Sequence, residues 1–197
     1  MYFDGEFRHI GTVDPQPLAQ AVEALGEDAW QEFVRRQEKF APHRQTQTIP
    51  LLYDNDMRHS DPTPWPRLAP LLPVFQPALD LIEKAHPPAA GSGKAGYFVR
   101  IILTRLSPGA VITPHRDHGP SMLRSHRYHL AITTNERVEF GIENAMQHFA
   151  AGEIWEINNR KYHAVRNLGQ EGRVHLILDY VVPGEEIQDP DEGLVIA

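Results

Sequence analysis

The chain of 197 residues contains no cysteine. This absence excludes a disulfide framework, a thiol nucleophile, an iron–sulfur cluster and a cysteine-ligated zinc site, so any metal must be held by His, Asp or Glu. Neither an apolar run of about 18 residues nor a signal-peptide pattern is present. An excess of basic charge is also missing, since the formal net charge is −7. We therefore expect a cytoplasmic protein with no membrane or nucleic-acid partner.

The first half of the sequence mixes helical and strand signals. It predicts a strand over 1–13, helical segments over 16–39 divided at Gly26, a strand over 46–53 and a helix over 67–85. The proline in the second strand favours an edge position or a bulge. Pro73 and Pro77 are expected to interrupt the last helix.

The second half consists of short β-rich runs separated by turn signals. They cover residues 97–106, 110–115, 127–134, 138–143, 152–158, 163–168 and 173–182. Serial short strands of this kind are typical of a sandwich or jelly roll. The expected fold is therefore mainly β, with the helices of the N-terminal half packed outside the sheets.

A His-x-Asp pair and a distant histidine are the first candidates for chemistry. His115 and Asp117 follow a predicted strand, and His163 lies 48 residues after His115. In a strand, residues i and i+2 point the same way, so the pair can grip one ion, and a jelly roll can bring the second histidine alongside. Two imidazoles and one carboxylate bind a divalent metal on one face and leave the other face open.

The residues around these positions resemble a known family. The matching text is LTRLSPGAVITPHRDHGP, RYHLAITTNERVEFGIEN and FAAGEIWEINNRKYHAVRNLGQEGRVHLILDYV, within roughly the last 90 residues. It is similar to the aspartyl/asparaginyl β-hydroxylases, which are Fe(II)/2-oxoglutarate-dependent dioxygenases. In having a His-x-Asp motif, the sequence resembles the bacterial, proline-hydroxylase-like relatives. The resemblance implies a double-stranded β-helix, the cupin-like jelly roll.

The same resemblance implies a role for each matching residue. His115, Asp117 and His163 correspond to the metal ligands and are the expected catalytic residues. Four further residues correspond to contacts of 2-oxoglutarate. They are Arg173 at its distal carboxylate, Thr104 as an assisting hydroxyl, and Arg127 and His129 at the carboxylate nearer the metal.

The resemblance thus implies an oxygenase that hydroxylates a C–H bond of an amino-acid side chain, free or in a peptide, and releases succinate and CO2. Its expected cofactors are Fe(II), 2-oxoglutarate and O2, with ascorbate as an assisting reductant. Within one structural domain, residues 1–95 are expected to line the substrate site, residues 96–183 to form the catalytic core and residues 184–197 to form an acidic tail.

Two alternatives stay open from the residues alone. One is a cupin-like metal enzyme that does not use 2-oxoglutarate, and the other is a non-catalytic jelly-roll module that keeps a metal for structure. Arg173 discriminates between them and the dioxygenase, because a protein without 2-oxoglutarate has no need of a buried arginine at that position.

The substrate-binding residues carry no motif. Polar candidates near the expected mouth of the site are Arg44, Tyr53, Asn55, Arg58, His59, Arg116, Arg124 and His126. His118 has no matching role in the family pattern. His175 alternates with apolar neighbours, so it either faces the barrel interior near Arg173 or satisfies a backbone group.

Overall fold

The strands follow one another through most of the chain. The computed structural model describes residues 3–56, 58, 61–88 and 93–185, together with the backbone of 187–189 and 194–196. The strands in these residues are β1 (Phe7–Thr12), β2 (Thr46–Tyr53), β3 (Thr63–Pro64), β4 (Tyr97–Leu106), β5 (Val111–His115), β6 (Ser125–Thr133), β7 (Val138–Ile142), β8 (Ala145–Gln147), β9 (Glu153–Ile157), β10 (His163–Asn167), β11 (Arg173–Val181), β12 (Ile187–Asp189) and β13 (Leu194–Ile196).

The helices lie mostly in the N-terminal half. The α-helices of the described residues are α1 (Pro15–Glu23), α2 (Arg35–Lys39), α3 (Leu68–Ala85) and α4 (Pro120–Arg124), and 3-10 turns span Asp28–Trp30 and Ala41–His43. Asp14 caps α1 by accepting a hydrogen bond from the backbone of Gln16. Among the described helices, none combines the length and apolar character that a membrane crossing requires.

Two antiparallel sheets face each other and form the jelly roll. The larger has the strand order β1-β9-β6-β11-β4-β2-β3 and the smaller the order β5-β10-β7-β8, while β12 and β13 pair separately. Side chains from both sheets, among them Leu106, Phe140 and Val165, pack together between them. This arrangement confirms the predicted mainly β, jelly-roll fold with N-terminal helices.

Helices α1 and α3 cover the outer face of the larger sheet. Phe75 and Ile82 of α3 pack with Leu176 and Leu178 of β11 in one apolar cluster. Because side chains alternate along a strand, the intervening residues of β11 point the other way, between the two sheets. Both faces of β11 are therefore buried, and its inward-facing positions become available to the functional site.

The prolines of α3 do not interrupt it, so that prediction was wrong. Pro73 and Pro77 are exposed residues four positions apart, on the side of the helix away from the sheet. Water can satisfy the carbonyls whose hydrogen bonds they remove, while the apolar face stays packed. The division at Gly26, which has a φ of +73°, and the bulge of β2 after Pro50 are as predicted.

Several short elements carry no prediction from the sequence, and β3 is one of them. Helix α4 lies in the polar segment after His115, and β8 forms a two-stranded edge with β7. The acidic segment after residue 183, for which no strand was predicted, contains the β12–β13 pair. These elements are short, and five or fewer residues give a weak periodic signal.

Candidate active site

The predicted metal ligands come together at one end of the smaller sheet, and they are His115, Asp117 and His163. His115 ends β5, His163 begins β10, and the two residues are direct partners in the antiparallel pair. One Asp117 oxygen lies 3.9 Å from Nε2 of His115, and the other lies 3.7 Å from Nε2 of His163. One donor atom from each residue falls within 4.8 Å of the other two. These distances are short enough for one divalent ion to be shared by all three.

Both histidines present the nitrogen that a metal needs. The Nδ1 atom of His115 lies 2.9 Å from the carbonyl of Thr113, and that of His163 lies 3.0 Å from the carbonyl of Lys161. A carbonyl can only accept, so Nδ1 carries the hydrogen and the Nε2 lone pair points toward Asp117. Burial also lowers the pKa of His163 to about 4. His163 is therefore neutral at physiological pH, as metal ligation requires.

The Asp117 carboxylate is fixed by a buried arginine. Arg127 donates from Nη1 to Asp117 at 2.6 Å, and from Nε and Nη2 to the two oxygens of Asp179 at 2.7 and 2.8 Å. Burial alone would raise the pKa of Asp117, but Arg127 and the nearby histidines hold that pKa well below its usual range. Asp117 is consequently ionised throughout the physiological range.

A second arginine extends this network toward β2. Arg100 donates from Nε to Asp54 at 2.7 Å and lies 3.7 Å from Asp179, and Asp54 also accepts from the hydroxyl of Ser121. Asp54 and Asp179 are fully buried. Sequence reasoning missed all three charged residues. For Arg100 and Asp179 the sequence did contain a signal, since each is a charged residue inside an otherwise apolar strand. Such a residue must find a partner when it is buried.

Arg173 lies deeper between the sheets, in a narrow cavity that also reaches His115 and His163. The structure brings Thr104, Arg127 and His129, the other predicted co-substrate residues, to the same cavity. The guanidinium of Arg173 contacts Nδ1 of His175, and it lies 3.4 Å from Nδ1 of His129. The inward orientation of His175 near Arg173, one of its two predicted placements, is the one observed.

Arg173 has no acidic partner among the residues that the structure describes. Its side chain is 1% exposed, and its Nε donates to no acceptor there. Burial lowers its pKa to about 9, with no carboxylate to oppose the effect. Arg127, in contrast, is paired with two carboxylates. Of the two predicted arginines, Arg173 is the one whose charge calls for an anionic ligand.

A wider cavity of about 320 Å³ opens in front of the triad. His115, Asp117 and Arg127 line it, and residues from the N-terminal half form much of the rest of its wall. The wall residues that carry apolar surface are Phe40, Pro42, Tyr53, Met122 and Tyr162. A cavity of this size lies at the lower end of the range for small-molecule sites.

Comparison with known proteins identifies the family. The family model described as aspartyl/asparaginyl beta-hydroxylase matches residues 79–183, just over half of the chain. This chain belongs to that family. The resemblance predicted from the sequence motifs is thereby confirmed, and the matched range contains the His-x-Asp pair, the second histidine and Arg173.

One curated relative of this family member is the L-proline cis-4-hydroxylase of Rhizobium meliloti (strain 1021). It is 29% identical over 115 residues, which cover 58% of this chain and 39% of the relative. The chain thus matches about two fifths of that protein's length.

Solved structures with the same fold include two oxygenases. An oxidoreductase of the 2OG-Fe(II) oxygenase family from Burkholderia pseudomallei has a TM-score of 0.55 at 14% identity, covering 73% of this chain and 71% of its own. A viral collagen prolyl hydroxylase from Paramecium bursaria Chlorella virus-1, in complex with 2OG, has a TM-score of 0.59 at 9% identity, covering 91% and 97%. At these identities the likeness shows a shared fold.

The predicted substrate residues separate into two groups in this family member. Tyr53 and Arg116 line the wider cavity, as does His118, for which no role was predicted. The other described candidates do not line it, and they are Arg44, Asn55, Arg58, Arg124 and His126. His126 instead lies between Glu156 and Glu185 in a separate buried cluster. His59 lies outside the described residues.

Arg36 of α2 is the main residue that the sequence analysis missed. It lines both cavities and is 4% exposed. Burial lowers its pKa to about 10. Its sequence surroundings, VRRQEK, read as an ordinary solvated helix turn, so no local signal distinguishes it from the exposed Arg35 beside it.

Proposed function

We propose that this protein is an Fe(II)- and 2-oxoglutarate-dependent hydroxylase of an amino-acid substrate. The proposal rests on two groups along one cavity. The first consists of two histidine Nε2 atoms that face a carboxylate. The second is a buried arginine that has no acidic partner in the described part of the chain. The first group suits a metal ion and the second suits the far end of a dicarboxylate. Family membership supports the combination.

His115, Asp117 and His163 would hold the iron. Their donor set of two neutral imidazoles and one carboxylate fits the facial arrangement used by non-haem Fe(II) oxygenases. The backbone carbonyls of Thr113 and Lys161 fix the two rings before any metal arrives. Such outer contacts orient the ligands and raise their basicity.

Arg173 would bind the distal carboxylate of 2-oxoglutarate. A guanidinium offers two parallel donors to a carboxylate, and a buried charge that lacks a counterion gains most from receiving one. Thr104 and His129 line the same cavity and would add polar contacts. Arg127 would act at the other end of the co-substrate while its existing contact holds Asp117 in position.

When bound, iron with 2-oxoglutarate and O2 supplies the oxidising power to hydroxylate a C–H bond, with release of succinate and CO2. The chain's own residues bind the reactants, fix their orientation and shield the reacting centre from water. Phe40, Tyr53 and Met122 provide the apolar surface that serves the last purpose. Ascorbate would serve only to keep the iron reduced.

The test is a succinate assay with purified protein, Fe(II), ascorbate and 2-oxoglutarate. We expect slow succinate formation that is stimulated by the correct amino acid, with L-proline as the first to be tried because the curated relative is an L-proline hydroxylase. His163→Ala serves as the inactive control. Absence of succinate with all twenty amino acids and with proline-containing peptides would refute the proposal.

A further inference from the structure

Four buried arginines line the two cavities of the site, and within the described residues only two of them have acidic partners. Arg100 pairs with Asp54, and Arg127 pairs with Asp117 and Asp179. In the described part of the chain, no carboxylate lies within 4 Å of either of the remaining two, Arg36 and Arg173.

Among the described residues, the side-chain hydrogen-bond contacts of Arg36 are with neutral groups only. Its Nη1 lies 3.4 Å from the hydroxyl of Thr48, and its Nη2 lies 3.3 Å from Nε2 of His43. Neither a hydroxyl nor an imidazole carries a negative charge. Burying a guanidinium without a counterion is costly in free energy. A buried cation at this position therefore indicates that Arg36 binds an anionic ligand during the protein's function.

The position of Arg36 identifies which anion. Arg173 lines the narrow cavity, and the proposed function assigns one carboxylate of 2-oxoglutarate to it. Arg36 lines both this cavity and the wider one, as do His43, His115 and Arg127. A group bound to Arg36 would therefore lie beside the metal ligands and within the substrate space.

We infer that Arg36 binds the carboxylate of the prime substrate, which is a free amino acid rather than a residue inside a polypeptide. This inference rests on the proposed function and specifies its substrate class. A peptide-bonded residue has no carboxylate on its main chain to offer to Arg36. The cavity of about 320 Å³ is also of a size for one small molecule.

The experiment compares free amino acids with their carboxamides. Protein loaded anaerobically with Fe(II) and 2-oxoglutarate is titrated by calorimetry with the twenty L-amino acids, and each one that binds is repeated as its carboxamide. The free acid can accept a charge-assisted hydrogen bond from Arg36, which is stronger than the neutral one that the carboxamide can accept. The wild type should therefore bind the free acid at least about tenfold more tightly than the amide.

Replacement of the arginine completes the comparison. Arg36→Met should weaken binding of the free acid at least about tenfold. Its affinity for the carboxamide should stay within about twofold of the wild-type value, because the neutral amide forms no ion pair with Arg36. Arg36→Lys should recover part of the affinity for the acid. Arg35→Met is the matched control, since Arg35 is exposed, adjacent to Arg36 in α2 and outside both cavities. This control variant should bind both the free acid and the carboxamide with wild-type affinity.

Several outcomes would overturn the inference. Equal binding of acid and amide by the wild type, or binding of no free amino acid, would remove the carboxylate assignment. Equal losses for acid and amide in Arg36→Met would indicate a structural role, and a loss of 2-oxoglutarate affinity would assign Arg36 to the co-substrate. Failure of the wild type to bind Fe(II) and 2-oxoglutarate would instead contradict the proposed function itself.

Discussion

Replacement of Arg173 by methionine should have opposite effects on ligand binding and on stability. Methionine keeps much of the length of the side chain but removes the guanidinium. With two charge-assisted hydrogen bonds lost and a carboxylate left buried, the affinity for 2-oxoglutarate should fall by at least about tenfold, since one such bond contributes about 1.5–3 kcal/mol. A lysine at this position should recover only part of the loss, because a point charge cannot grip both carboxylate oxygens.

The stability of the protein prepared without 2-oxoglutarate should change in the other direction. Burial lowers the pKa of Arg173 from 12.5 to about 9, which makes the burial penalty on the order of a few kcal/mol at 1.36 kcal/mol per pKa unit. The contacts to His129 and His175 offset part of this penalty. We expect Arg173→Met to raise the free energy of unfolding by about 1–4 kcal/mol, by analogy with the range seen when buried ion pairs are replaced by apolar residues of similar volume.

Two measurements separate these effects. Urea unfolding of metal-free protein reports stability, and anaerobic calorimetry of the Fe(II)-loaded protein reports 2-oxoglutarate affinity. Arg166→Met is the matched control, because Arg166 is a half-exposed strand residue paired with Glu139, and it should leave both quantities nearly unchanged. A less stable Arg173→Met protein with unchanged 2-oxoglutarate affinity would refute the assignment and favour a cupin-like enzyme without 2-oxoglutarate.

Three other changes should have measurable effects. His163→Ala should lower Fe(II) affinity strongly in equilibrium dialysis and abolish turnover, because two ligands rarely hold a labile ion in an open site; wild-type affinity would contradict this. Asp179→Asn should reduce the free energy of unfolding by about 3–5 kcal/mol in urea titrations, since it leaves Arg127 with a broken buried pair; a change below about 1 kcal/mol would count against the network. Burial and Arg173 keep the pKa of His129 and His175 well below the ordinary value, so below about pH 6.5 the unfolded chain binds more protons than the folded protein. The free energy of unfolding should therefore fall on acidification by up to about 1.4 kcal/mol per pH unit for each histidine. A free energy of unfolding that stays constant down to about pH 5 in urea titrations would show that the two rings are not buried in the neutral form.

The strands and the clustering of His115, Asp117 and His163 were predictable from local features. Strand β4 has the predicted bounds, and β11 differs by one residue at its end, because both are long apolar runs between turn signals. The order of His115, Asp117 and His163 is specific enough to predict their meeting once a jelly roll is assumed. Their contact depends on the direct pairing of β5 with β10, which a sandwich with this strand order supplies.

The partners of the triad could not be predicted in the same way. Arg36 contacts the site from a five-residue helix far away in sequence, and nothing in its neighbours indicates burial. Asp54 is similar, since it follows β2 at the start of a polar, proline-rich segment. Their roles depend on how the N-terminal half packs against the sheets, and packing between distant segments leaves no local periodicity.

Arg100 and Asp179 are intermediate cases. Each interrupts an apolar strand, and in the structure they lie opposite one another on β4 and β11. A charge in such a strand indicates either an edge or a buried pair. The sequence alone does not say which, because the two paired residues, Arg100 and Asp179, are 79 positions apart in the chain.

The most direct test of the account is an anaerobic absorption titration of the protein with Fe(II) and 2-oxoglutarate. We predict a metal-to-ligand charge-transfer band that requires both additions and that is lost in His115→Ala and His163→Ala, because the band arises only when 2-oxoglutarate chelates iron held by these residues. A wild type that develops no band, or a His115→Ala/His163→Ala double variant that keeps it, would contradict the assignment of this site as an Fe(II)/2-oxoglutarate centre.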